Sequence, residues 1–319
     1  MILLGTSDVG PAKYLIELSN SLKIKFECIG GELTNHLFSE NGNRVNIHWK
    51  NSKPLVVITG TSLGNSLDKE LVIWAKQKGI PSISIIEHWS WYRRRFELNG
   101  KLILPDFIFV NDQIAYTDAI NEGLPEEKLL IAGNPVLEAL YRTGDQHPVN
   151  KGRLLKEYNL PVKRIIVFVS EELASEFNTV DDEFMVLKEI IQLLEPSDQL
   201  VIKLHPEELE DKYHDFIGSN VSVLRSIDVY SLNILADVII GMASMLLLEL
   251  AMLRNDVISF RPNARKQFIG KRLSATINVC LQENLADVLK NTQCVDGHFR
   301  GRFKGSSKKI VSLVKGIMK

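Results

Sequence analysis

Short apolar segments rich in β-branched residues alternate with helical stretches along almost the whole chain. Each segment is a continuous apolar run rather than an apolar–polar alternation, which is typical of strands whose sheet is covered on both faces. The pattern therefore predicts an α/β architecture, with strands at residues 2–6, 25–30, 55–60, 82–86, 106–110, 129–133, 164–170, 199–204, 221–225, 237–241, 256–260 and 276–280.

The segment between the third and fourth predicted strands has the features of a complete helix. Ser66 is placed to cap its start, Gly79 to end it, and Pro81 to prevent its continuation. Its apolar face is formed by Leu67, Leu71, Trp74 and Ala75. A strand–helix–strand unit of this kind favours a parallel sheet with right-handed crossovers.

A polar, turn-rich stretch around residues 143–163 interrupts this alternation, and we expect the domain boundary there. The prediction is a doubly wound, Rossmann-like domain at residues 1–148, a second one at 149–300, and a basic carboxyl-terminal helix at 301–319. Open α/β sheets bind ligands at the carboxyl ends of their strands. We therefore expect two parallel sheets whose carboxyl edges face a central cleft.

The carboxyl-terminal tail, Phe299 to Lys319, has seven Lys or Arg residues and no acid. One interpretation is an amphipathic helix that docks on the protein and exposes its basic face to water. The alternative is peripheral contact with an anionic membrane surface. A single basic helix is weak evidence for a membrane, so docking is favoured.

The most membrane-like segment runs from Ala236 to Leu253, which is long enough to raise the question of a spanning helix. Asp237, Glu249 and the central Gly-Met-Ala-Ser favour a buried strand followed by a buried helix instead. The amino-terminal segment lacks the basic and apolar regions of a signal peptide. We therefore expect a cytoplasmic protein, with peripheral contact on the inner face of the membrane as the alternative.

The composition is that of an ordinary globular protein: 319 residues, 45% hydrophobic and 24% charged. The formal net charge of −1 gives no indication of a nucleic acid as partner. Cys28, Cys280 and Cys294 are widely separated, which fits a reducing compartment and predicts neither a disulfide framework nor a zinc site.

In the second half, polar residues follow two predicted strands. His205 and Pro206 end the strand that contains Lys203, and Gly241 ends another strand just before Ser244 opens a helix. Backbone N–H groups at a helix start attract phosphate, and Gly241 permits close approach. The alternative is that His205 ends a strand and Ser244 only caps a helix. The combination favours a phosphate site, with His205 and Ser244 expected at adjacent strand ends.

The turn from Ser170 to Glu176, after the first strand of this half, is acidic and is therefore poorly suited to phosphate. Contact with a base, a sugar hydroxyl or an amine is one interpretation. A solvated helix start is equally consistent, since acids favour that position.

In the first half, three strand ends carry candidate chemistry. Two are small polar turns suited to close approach of a ligand, and their candidate sugar- or acceptor-binding residues are Thr6, Ser7, Thr61 and Ser62.

The third strand end reads Glu-His-Trp-Ser-Trp-Tyr-Arg-Arg-Arg, from Glu87 to Arg95. Glu87 and His88 are the candidate catalytic residues, because a carboxyl group beside Trp89 would have a raised pKa and act as a general base. Trp89 would stack on a sugar and Arg93 or a neighbouring arginine would bind phosphate or carboxylate. The alternative is a packed tryptophan and solvated arginines.

No G-x-G-x-x-G fingerprint, Walker-type lysine loop or H-E-x-x-H cluster occurs in the sequence. NAD and a catalytic metal are thus not indicated, and no cofactor is expected.

These motifs resemble those of the GT-B glycosyltransferase superfamily. The first half, with Gly133-Asn134-Pro135 near its end, is similar to the amino domain of GT-B enzymes and of the UDP-N-acetylglucosamine 2-epimerase group. The second half is similar to the HP and Ser/Thr motifs of bacterial sialyltransferases, Kdo transferases and CDP-glycerol-type polymerases. The resemblance implies that His205, Pro206 and Ser244 contact the donor phosphate and that Glu249 binds a ribose.

The sequence lacks the acidic-acidic-glycine motif of the sialyltransferases, since Glu171-Glu172 lies in the second half and is followed by leucine. The expected function is a metal-independent glycosyltransferase that moves a sugar, preferably CMP-linked and acidic, to a glycan or glycolipid acceptor in bacterial surface polysaccharide assembly. The alternatives are a UDP-N-acetylamino-sugar 2-epimerase or hydrolase on the same fold, and a non-catalytic nucleotide-sugar-binding protein.

Overall fold

The computed structural model describes residues 1–64, 66–144, 149–171, 182–206, 208–262, 268–291 and 293–318. The chain divides into two compact units. The first consists of Met1–Ala139 together with Phe303–Lys319, and the second of Leu140–Arg302.

The first unit is built on a six-stranded parallel sheet with the strand order β2-β1-β3-β4-β7-β8. A two-stranded antiparallel hairpin, β5–β6, lies outside this sheet. The strands are β1 (Ile2–Thr6), β2 (Phe26–Gly30), β3 (Val56–Thr59), β4 (Ser82–Ile86), β5 (Glu97–Leu98), β6 (Lys101–Leu102), β7 (Phe107–Val110) and β8 (Leu129–Ile131). The helices are α1 (Val9–Ser21), α2 (Glu32–Glu40), α3 (Leu67–Lys78), α4 (Gln113–Asn121) and α5 (Pro135–Thr143), which runs across the division between the units.

The second unit is built on another six-stranded parallel sheet, with the order β11-β10-β9-β12-β13-β14. Its strands are β9 (Arg164–Val169), β10 (Asp198–Lys203), β11 (Val221–Leu224), β12 (Val238–Gly241), β13 (Val257–Phe260) and β14 (Ile277–Val279). Its helices are α6 (Lys151–Glu157), α7 (Glu183–Gln192), α8 (Val229–Leu235), α9 (Met245–Ala251), α10 (Ile269–Arg272), α11 (Gln282–Lys290) and α12 (His298–Gly301). Single 3-10 turns lie at Trp49–Asn51, Arg94–Phe96, Glu126–Lys128 and His214–Phe216.

The predicted α/β class with two parallel sheets is confirmed. Every strand expected from an apolar run is a strand of one of the two six-stranded sheets. Strands β1, β3 and β4 of the first sheet and β10 of the second are buried along their whole length. This burial on both faces explains why the sequence shows continuous apolar runs.

The predicted helix between the third and fourth strands is α3. Gly79 ends it in the left-handed conformation, with φ of +66°. Leu71, Trp74 and Ala75 form a buried cluster under its apolar face. Ser66 is the N-cap residue of α3, as predicted, but its hydroxyl donates to the Glu70 carboxylate at 2.5 Å and makes no side-chain cap bond to the backbone.

The basic tail forms α13 (Ser306–Ile317), which packs on α1 in the first unit. Ile310 and Val314 are fully buried in the core of that unit. Glu138 accepts hydrogen bonds from the backbone N–H groups of Gly305 (2.6 Å) and Ser307 (2.7 Å) at the start of the helix. A carboxylate in this position offsets the positive end of the helix dipole.

The apolar segment from Ala236 to Leu253 divides into β12 and α9. Within the described ranges, no helix combines the length and apolar character needed to cross a membrane.

Candidate functional site

The carboxyl edge of the first sheet has a switch point between β1 and β3. The chain moves from β1 to β2 on one side and then returns to β3 on the other, so the loops after β1 and β3 diverge there. Open α/β sheets bind their ligands at such points. Thr6 and Ser7 lie at the end of β1, and Thr61 and Ser62 follow β3.

Unpaired buried polar atoms are concentrated at this edge. Within the described part of the chain, eight buried side-chain oxygen atoms have no hydrogen-bond partner. Five of the eight are Thr6 Oγ1, Ser7 Oγ, Ser62 Oγ, Asp68 Oδ1 and Glu87 Oε2. Because buried polar groups are almost always paired, such a concentration indicates a ligand-binding site.

Glu87 follows β4 directly and its Oε2 atom is buried. Burial raises the pKa of this carboxyl group; the Arg95 charge opposes the shift, and Asp8 and Asp68 add to it. The main chain of Glu87 is fixed by Asn111, whose side-chain amide donates to the Glu87 carbonyl at 2.8 Å. Glu87 therefore has a fixed main chain and a carboxyl group that retains its proton to higher pH than an exposed one.

His88 lies next to Glu87, and its Nδ1 is 2.8 Å from the Ser90 hydroxyl. Burial, with the Arg95 charge as the second cause, lowers the pKa of His88 to about 3. The imidazole is consequently neutral at physiological pH. It can exchange hydrogen bonds with a ligand but carries no charge to offer one.

Arg95 is the buried cation of this site. It donates to the carbonyl groups of Ser90 and Thr61, both at 2.9 Å. Lys69 is also buried and donates to the carbonyl of Ser62. Both cations fix the turn after β3. The Thr61 hydroxyl donates to the Ile85 carbonyl at 3.0 Å, so it helps to hold this turn as well.

Trp89 and Arg93 were predicted to contact a sugar or its charged groups, but in the structure both interact with other residues of the protein. The Trp89 ring is 6% exposed, packs edge-on against Phe303 and donates from Nε1 to Asp112 at 3.1 Å. Arg93 is exposed and pairs with Glu97 at 3.5 Å. Their binding roles stay predictions, but the arginine that reaches the buried cluster is Arg95.

Sequence reasoning did not single out Asp68 or Lys69. Both lie in the first turn of α3, where charged residues are common and do not by themselves indicate a functional site. The available signal was their position directly after a glycine-containing turn at a strand end.

In the second unit, the switch point lies between β9 and β12, which are neighbours in the sheet. His205 follows β10, on the far side of β9. The expectation that His205 and Ser244 come from adjacent strand ends is therefore wrong, because β9 separates their strands. The residue between them at this edge is Glu171.

Glu171 accepts a hydrogen bond from the backbone N–H of Ala243. Burial raises the pKa of Glu171 to about 7, although the Ala243, Ser244 and Met242 N–H groups and the Arg261 charge oppose the shift. The N–H groups that were expected to receive phosphate thus face a carboxyl group. The rest of the acidic turn, from Glu172 onward, lies outside the described residues.

Ser244 is the N-cap of α9, and its hydroxyl accepts from the Leu246 N–H at 3.3 Å. Gly241 is closely packed: an added Cβ would lie 3.0 Å from Leu247 and 3.2 Å from Val169. Glu249 is half-buried on the same helix. The phosphate role of Ser244 and the ribose role of Glu249 remain predictions.

The side chains of His205 and Pro206 are exposed, whereas the backbone N–H of His205 is bonded to Glu208. The buried Glu208 carboxylate accepts from the His205 backbone N–H at 2.7 Å, from the Ser170 hydroxyl at 2.7 Å and from Lys212 at 2.6 Å. Lys203 is buried and donates to the Leu204 carbonyl at 2.5 Å. The imidazole of His205 is therefore exposed, while its backbone N–H is held by Glu208.

Among the described residues, no group of three or more His, Cys, Asp or Glu is arranged to hold a metal ion. A pocket of about 320 Å³ opens beside Lys69 in the first unit and is also lined by Leu63, Gly64, Ser66, Glu97 and Leu98.

No protein-family model and no curated protein matches this sequence. Solved structures match over almost its whole length. The MnaA–UDP co-structure from S. aureus has a TM-score of 0.71 at 13% identity, covering 99% of this chain and 96% of that chain. The UDP-GlcNAc 2-epimerase of Methanocaldococcus jannaschii has a TM-score of 0.69 at 13% identity, covering 99% of both chains. The enzyme of the same name from Rickettsia bellii has a TM-score of 0.69 at 16% identity, covering 99% and 96%.

At these identities the likeness shows the fold, which is GT-B-like, with two α/β units on parallel six-stranded sheets. The prediction of a glycosyltransferase with a CMP-linked donor is wrong, because many of the similar solved structures are UDP-GlcNAc 2-epimerases. A specific likeness to sialyltransferases or Kdo transferases is likewise not shown.

Proposed function

We propose that this protein binds a UDP-linked N-acetylamino sugar and acts on it at C2 without a sugar acceptor, as a 2-epimerase. The observation that carries the proposal is the Glu87 carboxyl group at the carboxyl edge of the first sheet, which has a raised pKa and a buried oxygen without a hydrogen-bond partner among the described residues. Support also comes from the similar structures of UDP-GlcNAc 2-epimerases, some of which contain UDP-GlcNAc.

The chemistry follows from the substrate class. The hydrogen on C2 is not acidic by itself, because neither neighbouring carbon is a carbonyl. It can leave as a proton if the bond from C1 to the nucleotide oxygen breaks at the same time, which forms a double bond between C1 and C2. The ionised Glu87 would accept this proton, and UDP would take the electron pair of the broken bond.

Return of a proton to the opposite face of C2, with UDP rejoining C1, completes the epimerisation. Addition of water at C1 instead would release the free sugar, so epimerase and hydrolase activities share their first step. The neutral His88 and the Arg95 charge lie beside Glu87 and would stabilise charge that develops during this step.

The nucleotide is assigned to the second unit. His205 is exposed at the carboxyl edge of that sheet, with its backbone N–H held by Glu208, and it is suited to a phosphate contact that strengthens as UDP leaves. Ser244 and Glu249, on the loop and helix after β12, are the further candidates for the phosphate and the ribose.

The test is incubation with UDP-GlcNAc in D₂O without any acceptor, followed by ¹H and ³¹P NMR. We expect inversion at C2 with deuterium at that carbon, because the removed proton exchanges with solvent. Glu87→Gln should abolish deuterium incorporation while retaining UDP binding.

A suitable control is Glu127→Gln, because Glu127 is an exposed carboxylate of the same unit. Full deuterium incorporation by Glu87→Gln would contradict the assignment of the base. Tight binding of UDP-GlcNAc without any turnover by the unaltered protein would instead indicate a non-catalytic nucleotide-sugar-binding protein.

A further inference from the structure

The Gly133-Asn134-Pro135 motif contains a buried amide group that the proposed chemistry does not use. Asn134 is 3% exposed and lies directly before α5. Its side-chain Oδ1 accepts from the backbone N–H groups of Val136 and Leu137, both at 3.1 Å. An asparagine in this position caps the start of the helix. Capping occupies only the oxygen, so it leaves the Nδ2 group of Asn134 to donate elsewhere.

The Nδ2 group of Asn134 donates to a second buried asparagine. It lies 3.3 Å from Oδ1 of Asn111, which is 2% exposed and donates from its own Nδ2 to the Glu87 carbonyl at 2.8 Å. The two amides therefore form a chain with one direction. Because the N–H groups of α5 face Oδ1 of Asn134, its Nδ2 must face Asn111, whose Nδ2 must then face Glu87. Turning either amide over would bring two donors or two acceptors together.

The sheet places these three residues side by side. Strands β4, β7 and β8 are neighbours, and they are followed by Glu87, Asn111 and Asn134 respectively. The last paired residues of β4 and β7 are Ile86 and Val110. The Asn111 amide thus continues the pairing by one step beyond the strands and gives the Glu87 carbonyl the partner that a buried carbonyl requires.

The turn that carries Asn134 is itself fixed from two other helices. The Asn134 backbone N–H donates to the buried Ser306 hydroxyl at 3.1 Å, and this hydroxyl donates to the Phe303 carbonyl at 2.6 Å. Tyr14 of α1 donates to the Gly133 carbonyl at 2.9 Å. The chain of amides that ends at the candidate base therefore starts from a turn held by α1 and by the start of α13.

The carboxyl group of Glu87 lies in a confined place. A Cβ added at Gly10 would lie 3.2 Å from Glu87 Oε1, so the carboxyl group packs against the first turn of α1. The bond from Asn111 fixes the main chain of Glu87 and with it the direction in which the side chain leaves the strand end. Proton transfer depends on this direction, since a displacement of about 1 Å can slow a reaction about 100-fold.

We propose that Asn111 and Asn134 are positioning residues for Glu87, which hold its peptide group and so aim its carboxyl group at the bound sugar. Neither amide needs to touch the sugar, because both act through Glu87. The role of Glu87 as a base rests on the proposed function, whereas its placement by the two amides does not. Loss of either amide should slow the chemical step and leave nucleotide binding intact.

The test uses the variants Asn134→Ser and Asn111→Ser. A serine at position 134 still caps α5 but has no group that reaches Asn111. At position 111 the serine hydroxyl, one bond from Cβ, stops short of the Glu87 carbonyl. With UDP-GlcNAc in D₂O, we expect kcat for deuterium incorporation to fall about 10-fold or more in both variants. KM, and the affinity for UDP measured by calorimetry, should stay unchanged.

A second measurement does not depend on turnover. Protein labelled with ¹³C at the glutamate side-chain carboxyl carbon is titrated by NMR, and the Glu87 signal is the one that Glu87→Gln removes. Burial raises the pKa of Glu87, and the charges of Arg95, Asp8 and Asp68 also act on it. Serine changes none of these charges. A Glu87 side chain released from its place gains contact with water, so its pKa should fall toward its ordinary value in both variants.

The matched control is Asn43→Ser, because Asn43 is another buried asparagine of the first unit, 8% exposed and hydrogen-bonded to Ser19 at 3.0 Å near the end of α1. This variant should keep the kcat and the Glu87 titration of the unaltered protein. An unchanged Glu87 titration in both test variants would overturn the inference, and so would an unchanged kcat or a loss of UDP affinity as large as the loss of kcat. Shifted titrations in a protein without any turnover would reject the proposed function and leave the positioning role standing.

Discussion

Replacing Glu171 by glutamine is expected to change how the stability of the second unit depends on pH. Burial raises the pKa of Glu171 from its ordinary 4.5 to about 7 in the folded protein. Between these values the folded state keeps a proton that the unfolded state releases. As pH rises from 4.5 to 7, the free energy of unfolding therefore falls by about 1.4 kcal/mol for each pH unit. The total loss over this range is about 3 kcal/mol. This contribution is complete below pH 4.5 and is lost by pH 7.

Glutamine cannot ionise, so Glu171→Gln should lack this loss and gain stability relative to the unaltered protein from pH 5 to pH 8. For a unit of this size, 1 kcal/mol corresponds to about 2–4 °C in Tm, which predicts a Tm difference of up to about 10 °C at pH 8. Calorimetric scans at each pH, with the exposed Glu195→Gln as the control for loss of one charge, measure it. Parallel Tm curves for Glu171→Gln and the unaltered protein would refute the reasoning.

Three further predictions concern the first unit. Glu138→Gln should lower its free energy of unfolding by about 1 kcal/mol in urea titrations, because the carboxylate holds two backbone N–H groups at the start of α13. Gly133→Ala should cost about 2 kcal/mol or more in the same assay, because φ is +96° and an added Cβ would overlap Ser306. In the pH–rate profile, the rate should rise with pH on the acidic side as Glu87 ionises. His88→Gln should leave this rise unchanged, because the pKa of His88 is lowered to about 3 and its imidazole is neutral there. Loss of the rise in the variant would assign it to His88.

The strands could be predicted because each is an apolar run with turn residues at both ends. The hairpin of β5 and β6 was missed, although Asn99 and Gly100 between its strands have φ of 51° and 73°, as a two-residue hairpin turn requires. Strands of two residues leave no periodic pattern, so only the turn signal was available. The docked position of α13 depends on contacts such as the Ser306 hydroxyl with the Asn134 N–H, 172 positions apart, which no local pattern encodes.

The candidate site was predictable only in part, for a similar reason. Glu87 could be found because it directly follows a strand and therefore must lie at the carboxyl edge of the sheet. Asp68 and Arg95 belong to the candidate site because they are buried. Burial could not be predicted for either residue, since an acid at a helix start and one of three consecutive arginines are both usually exposed. Glu171 was noticed as acidic, but its contact with Ala243 depends on β9 lying next to β12.

The wrong prediction of a glycosyltransferase was drawn mainly from motifs of the second unit, whereas the proposed chemical step involves residues of the first unit. The His-Pro and Gly-x-x-Ser pattern lies in the unit to which the nucleotide is assigned, and a fold that holds nucleotide sugars supports more than one reaction. Transfer and epimerisation differ in the first unit, where a transferase base must meet an acceptor hydroxyl that arrives from outside. The Oε2 atom of Glu87 is buried and has no hydrogen-bond partner among the described residues. A base enclosed in this way is suited to a proton of the bound sugar itself, which favours a reaction without an acceptor.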